Sequence, residues 1–255
     1  MDQIENIYKK HYKKIYHLAH RMTGNKEDAS DITQETFIQA VKSFNQFRGE
    51  SRIYTWLYKI ARNKCLRFLE NKKRSTFSSF KEIIHEASST VSENISKEDR
   101  LLYINQVKDG CLSGLLRCLS LQQRIAFILN VLLDLPVRHV SHIIEKTENA
   151  TRILIHRAKQ NIRNFLCKNC SLYDAANTCR CENLINFSLK QNWIGLNNTY
   201  KHIKQAESEI KDLKNIIGLY KSLPEITPAK EMHTKIQQIL ARKKEFLILN
   251  EKKVK

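Results

Sequence analysis

The chain has 255 residues, enough for one or two compact domains. Its 44 Lys and Arg stand against 26 Asp and Glu, a formal charge of +18 that points to a polyanionic partner. Six glycines and three prolines are too few for a turn-rich β-sandwich or barrel, or for a Pro-rich disordered chain, and a mostly helical protein remains.

No run approaches the roughly 18 consecutive apolar residues of a membrane-spanning helix, and residues 1–16 lack a signal-peptide hydrophobic stretch. A cytoplasmic protein without membrane insertion is expected. Four of the seven cysteines fall between Cys167 and Cys181, and in a reducing compartment such clustering suggests metal before disulfide.

Apolar positions Ile4, Ile7, Tyr8, Tyr12, Ile15, Leu18, Ala19 and Met22 recur at three and four, the period of an amphipathic helix that Gly24 and Asn25 break. A second helix is predicted over 26–41 and a third over 53–69, the latter striped by Ile53, Trp56, Leu57, Ile60, Ala61, Cys65 and Phe68. Residues 71–100 are polar, rich in Ser and Glu and weakly periodic, which reads as a flexible linker. Ser120 and Gln123 have capping-box spacing before an apolar stretch that predicts one core helix to Leu135. Pro136 breaks it. A short helix over 137–145, a turn and a longer helix from Ala150 to about Leu166 follow.

That last pair has the order of a helix-turn-helix, which places its second helix in the DNA major groove. On it Thr151, Ile155, Ala158, Ile162 and Phe165 share one face, while Arg152, His156, Lys159, Gln160 and Arg163 lie opposite, flanked by Ile153 and Arg157. No acid interrupts residues 149–168, so the face suits phosphate and base contacts, although a solvated basic helix shows the same pattern. Glu145 and Lys146 occupy turn positions that usually carry Gly and an apolar residue.

A second basic element, Arg48 to Arg74, holds nine Lys or Arg against Glu50 and Glu70, with Tyr54, Trp56, Tyr58 and Phe68 interleaved. Aromatics among cations can stack unpaired bases while the cations hold phosphates. Trp56 fits the helix core as well as it fits a base.

The segment FNQFRGESRIYTWLYKIARNKCLRFL (44–69), preceded by DITQETFIQAV (31–41), resembles the polymerase-binding and minus-ten-reading domain of bacterial sigma-70-family factors of the extracytoplasmic-function group. Residues 119–166 are similar to that group's minus-thirty-five-reading domain. The resemblance implies an all-α, non-enzymatic subunit of two helical domains that binds core RNA polymerase and promoter DNA and directs promoter-specific initiation. It gives residues 1–74 as the polymerase and minus-ten domain, 75–100 as linker and 101–166 as the helix-turn-helix domain. A Cys-rich segment (167–182) and a helical tail (183–255) follow.

By the same resemblance Asp31, Gln34, Glu35 and Phe37 dock on the polymerase, and Arg52, Tyr54, Lys59, Arg62, Asn63 and Lys64 take the minus-ten strand, where a base is flipped out. Arg152, Ile153, His156, Arg157 and Lys159 read the minus-thirty-five element, with Ile153 limited to methyl contact with thymine. Linker acids such as Glu82 and Glu86 would mimic nucleic-acid charge in the polymerase's RNA path. An anti-sigma factor or other regulator is a further expected partner.

Cys167, Cys170, Cys179 and Cys181 give C-x2-C-x8-C-x-C, a set that can close a tetrahedral zinc site. The tight second pair leaves room for copper as Cu(I). Some members of the group sense metal through such a segment, which this one resembles; a structural zinc knuckle and a thiol redox switch are the alternatives. His139, His142 and His156 are competing ligands, and Cys65, Cys111 and Cys118 read as core. In the tail, Ile203 to Tyr220 and Ile236, Ile239 and Leu240 form helical stripes that can pack or dock a regulator. Two rivals stand beside this reading: an autonomous metal-responsive helix-turn-helix regulator, and a thiol-disulfide oxidoreductase on Cys167 and Cys170, which lacks its βαβ setting.

Overall fold

The computed structural model describes residues 3–47, 49, 51–70, 72, 75–88, 95–191, 193–195, 220, 228, 232, 234 and 236–238. Helices and turns make up these residues; their one β-type pairing is an isolated bridge between Cys170 and Cys179. The chain divides into two compact units, residues 1–72, 136–148 and 225–255 in the first and 73–135 and 149–224 in the second.

In the first unit α1 (Gln3–Thr23), α2 (Lys26–Ser43) and α3 (Ile53–Glu70) pack on one another. Gly24 ends α1 with φ +75°, a left-handed turn that glycine makes without steric cost, and its amide returns to the His20 carbonyl at 2.7 Å. Asn25 then caps α2, its Oδ1 accepting from the Asp28 amide at 2.8 Å. Leu18, Met22 and Leu57 are fully buried, each contributing about 1.5–3 kcal/mol on removal from water. Tyr8 meets Phe37 edge-on at 4.9 Å, and the buried Thr33 and Thr36 hydroxyls donate to the carbonyls of Ala29 and Ile32, each at 2.7 Å, so this core leaves them satisfied.

A fourth helix joins this unit from far along the chain. It is α7 (Val137–Ile144), which packs against α3 and buries Val140, Ile143 and Ile144. The expected domain division put this helix with residues 101–166; its packing puts it with the first unit.

The second unit contains α4 (Phe77–Ser88), α5 (Lys97–Cys118), α6 (Leu121–Phe127), α8 (Glu148–Asn169, all but its first residue) and α9 (Ile185–Lys190). Helix α4 lies where a flexible linker was expected. Phe77, Phe80, Ile84 and Ala87 form a helical stripe hidden among Ser and Glu; Phe77 and Phe80 reach Phe165 of α8 at 5.8 and 5.7 Å, and Ile84 and Ala87 are buried. The capping box is present: Ser120 Oγ accepts from the Gln123 amide and Gln123 Oε1 from the Ser120 amide, both at 3.3 Å.

The single helix expected to Leu135 gives way after Phe127 to a wide π-turn over Ile128–Leu132, in which the Leu133 amide reaches the Ile128 carbonyl. Asn130 Nδ2 ties off the end on the Leu135 carbonyl at 2.9 Å, just before Pro136. Of the tail, Tyr220 is buried, donating to the Leu112 carbonyl at 3.0 Å and meeting Phe127 at 5.0 Å; Ile236 is buried as well. The stripes at 203–217 and 239–240 lie outside the described residues.

Candidate nucleic-acid interface

Helix α3 buries Thr55, Leu57, Tyr58, Ala61 and Cys65 and turns its cations the other way. Trp56 is partly buried against Phe44 and Phe47, at 6.3 and 5.2 Å, so its role is to hold the loop before α3. Arg52 is exposed at the helix start, its carbonyl accepting the Thr55 amide at 2.9 Å, and Asn63 is exposed one turn beyond Lys59.

Three of the expected strand-reading side chains are engaged by α7. The Tyr54 hydroxyl and His139 Nδ1 are 2.6 Å apart, Arg62 donates to the Ile143 carbonyl at 3.2 Å and to Glu145 Oε2 at 2.7 Å, and Lys59 reaches Glu145 Oε1 at 3.7 Å. Glu145 sits at φ 56°, ψ 51°, a left-handed conformation costly for a residue with a Cβ. The Arg62 hydrogen bond, with Lys59 adding to it, holds its carboxyl below the usual value of 4.5. Burial, and then Arg52, Arg138 and His142, hold His139 below its ordinary 6.5, which favours the neutral ring beside Tyr54.

On α2 the exposed acids Asp31 and Glu35, with partly exposed Gln34 between them, form one outward strip. Phe37 departs from that reading: it is 1% exposed and belongs to the core beneath Tyr8. Lys64 pairs with Glu35 at 2.9 Å, which places it between the acidic strip and the basic face.

Helix α8 carries the second face. Thr151, Ile155, Ala158, Ile162 and Phe165 are buried, whereas Arg152, Ile153, His156 and Arg157 are exposed and Lys159 is half-buried. Ile153 is 43% exposed, an apolar side chain set among the cations of that face. One face is therefore fixed by packing and the opposite one is exposed and largely cationic.

After α8 the chain folds back on itself around Cys170. The Cys170 carbonyl accepts the amides of Tyr173 and Asp174 at 3.0 and 3.1 Å, the Ser171 amide bonds to the Cys179 carbonyl at 3.0 Å, and Asn177 Nδ2 donates to the carbonyls of Cys167 and Cys170 at 3.0 and 3.1 Å. Cys170 and Cys181 share a cavity with Cys111 of α5, a residue that the sequence reading put in the core. Cys167 does not line that cavity; its sulfur instead interacts with Arg163, which also donates to the Tyr173 hydroxyl at 3.3 Å. Among the described residues no three His, Cys, Asp or Glu side chains are drawn together closely enough to hold a metal ion as they stand.

An all-α protein with two cationic helices, one of them bearing aromatics, has the surface chemistry of a helical nucleic-acid binder. Residues 7–75 match the sigma-70 region 2 family. The RNA polymerase sigma factor YlaC of Bacillus subtilis (strain 168) is 29% identical over 167 residues, covering 66% of this chain and 94% of that protein. The ECF RNA polymerase sigma factor SigW of the same organism is 28% identical over 167 residues, covering 64% and 87%. The ECF RNA polymerase sigma-E factor of Salmonella typhimurium (strain LT2) is 32% identical over 145 residues, covering 54% and 73%. With these likenesses on region 2 and beyond it, the chain belongs to the extracytoplasmic-function group of sigma-70-family factors.

Proposed function

We propose that this chain binds core RNA polymerase through the Asp31, Gln34 and Glu35 strip of α2 and directs initiation at promoters read by α3 and α8. Helix α3 takes the unpaired minus-ten strand with Arg52, Tyr54, Lys59, Arg62, Asn63 and Lys64, the cations on phosphates and Tyr54 against a base. Helix α8 takes the minus-thirty-five duplex with Arg152, His156, Arg157 and Lys159, and Ile153 supplies the apolar contact a thymine methyl accepts. The reaction belongs to the polymerase, in the bacterial cytoplasm; this subunit supplies position and strand capture. An anti-sigma partner, if the cell makes one, has the acidic strip and the α8 face as targets.

The observation that carries this reading is the division of α8 into a buried stripe and an exposed, largely cationic face, on a chain whose residues 7–75 match sigma region 2. The test is transcription by purified core polymerase on genomic promoter fragments with the full chain added. Transcripts that need the chain, fall with Gln34→Ala through weaker polymerase binding, and fall with Arg152→Ala without loss of polymerase binding are the expected result. Tight duplex binding by the chain alone, with no dependent transcripts, would make it an autonomous regulator instead.

A further inference from the structure

In the second unit, the turn after α8 builds a thiol-facing loop of a particular kind. Cys170 opens a tight turn, its carbonyl accepting the amides of Tyr173 and Asp174 at 3.0 and 3.1 Å. Cys179 stands across the isolated bridge from Cys170, and Cys181 follows two residues later. Opposite them α5 presents Cys111, which shares the cavity with Cys170 and Cys181; Leu112 and Leu166 line its apolar wall and Lys108 its charged side.

We infer that Cys111, Cys170, Cys179 and Cys181 together form a binding site for a thiophilic d10 cation, Zn2+, with Cys167 outside it. Four sulfurs match the closed tetrahedral set of a structural zinc site. Binding exchanges four S–H protons for four Zn–S bonds with no change of oxidation state, and the tetrathiolate carries a net charge of −2. Lys108, which lines the same cavity, offsets half of that. The side chains must close by rotation, since they are not yet in coordinating contact. Closure would clamp α5 to the segment that follows α8 and so brace the recognition helix from its C-terminal end.

This ligand set differs from the one that spacing suggests by a single exchange, Cys111 for Cys167, and that exchange is the test. The full chain, reduced and anaerobic, is titrated with Zn2+ against a chromophoric chelator, and with Co2+ to read the sulfur-to-metal charge-transfer band, which grows with the number of bound thiolates. The wild type and Cys167→Ser should bind one ion with equal affinity and equal band intensity. Cys111→Ser should bind at least about tenfold more weakly, with the band reduced by about a quarter as one of four thiolates is lost. Should Cys111→Ser fail to fold, alkylation of the wild type mapped cysteine by cysteine decides the matter, because Zn2+ should protect Cys170, Cys179 and Cys181 while Cys167 keeps reacting. Protection of Cys167 together with the other three, loss of metal in Cys167→Ser with retention in Cys111→Ser, or no stoichiometric Zn2+ in the wild type would each overturn the inference.

Discussion

Replacing Glu145 tests whether the contact of α7 with α3 competes with DNA. Glu145→Gln keeps the side-chain shape and the left-handed backbone while removing the carboxylate that pairs with Arg62 at 2.7 Å and Lys59 at 3.7 Å. Glu145 is 57% exposed, so each pair is screened and contributes about 0.2–1 kcal/mol; about 1 kcal/mol for both is a reasonable sum. If Tyr54, Lys59 and Arg62 must leave α7 before they hold a strand, a contact weaker by that amount raises the affinity of the free chain for single-stranded DNA about fivefold. The assay is fluorescence anisotropy of a mixed-sequence single strand at low and high salt, with Glu70→Gln as the comparison, since Glu70 is an exposed acid on α3 itself. An increase no larger than that of Glu70→Gln would reduce the effect to net charge and refute the competition. The pH dependence has a definite sign. The Glu145 carboxyl is depressed in the folded chain, so its contribution is complete above the ordinary value of 4.5 and is lost as pH falls through the depressed one.

Four further outcomes follow from the same geometry. Ile153→Arg should steepen the salt dependence of duplex binding by about 0.9 in log–log slope and Arg157→Ala should flatten it by about as much; unchanged slopes in both would remove α8 from the DNA surface. Gly114→Ala ordinarily favours a helix by about 1 kcal/mol, but here the added methyl carbon would lie 2.7 Å from Phe80 Cζ, so thermal unfolding should show a net loss of about 1–3 kcal/mol rather than a gain. Arg124 is 3% exposed and donates to the Arg117 carbonyl at 2.6 Å at the end of α5; Arg124→Met should cost about 2–3 kcal/mol in a urea titration, and a midpoint equal to wild type would contradict it. Ser120→Ala removes the side-chain half of the α6 capping box and should cost about 1 kcal/mol by the same titration.

What could be read from the sequence divides along the range of the interaction. The buried stripe and exposed face of α8, the stop at Gly24 and the Ser120 capping box depend on residues within one or two turns, and each lies where its periodicity or spacing places it. Helix α4 was obscured because Ser and Glu dominate its composition, although Phe77, Phe80, Ile84 and Ala87 hold the helical interval. Phe37 shows the limit of transferring a motif by position, since a family pattern names the residue without saying which side of α2 it takes. The packing of α7 on α3 joins residues 54–62 to 139–145, and the thiol cavity joins Cys111 to Cys170 and Cys181. Neither pairing leaves a local periodic signal. The strongest available hint was Glu145 itself, an acid at a left-handed turn position where glycine would be strain-free.

That acid bears on the α3 face to which the proposed reading assigns the minus-ten strand. Glu145 and His139 already engage Arg62, Lys59 and Tyr54, so on that reading a strand must displace both before α3 can hold it, and its apparent affinity is lowered by the free energy of that contact. Each helix alone offers few phosphate contacts, and the second contact gains from the first only when the spacing of the two is held. If the acidic strip of α2 docks on core polymerase as proposed, the assembled enzyme fixes the spacing of the two helices and reads a promoter with both at once, while the chain alone reads it weakly.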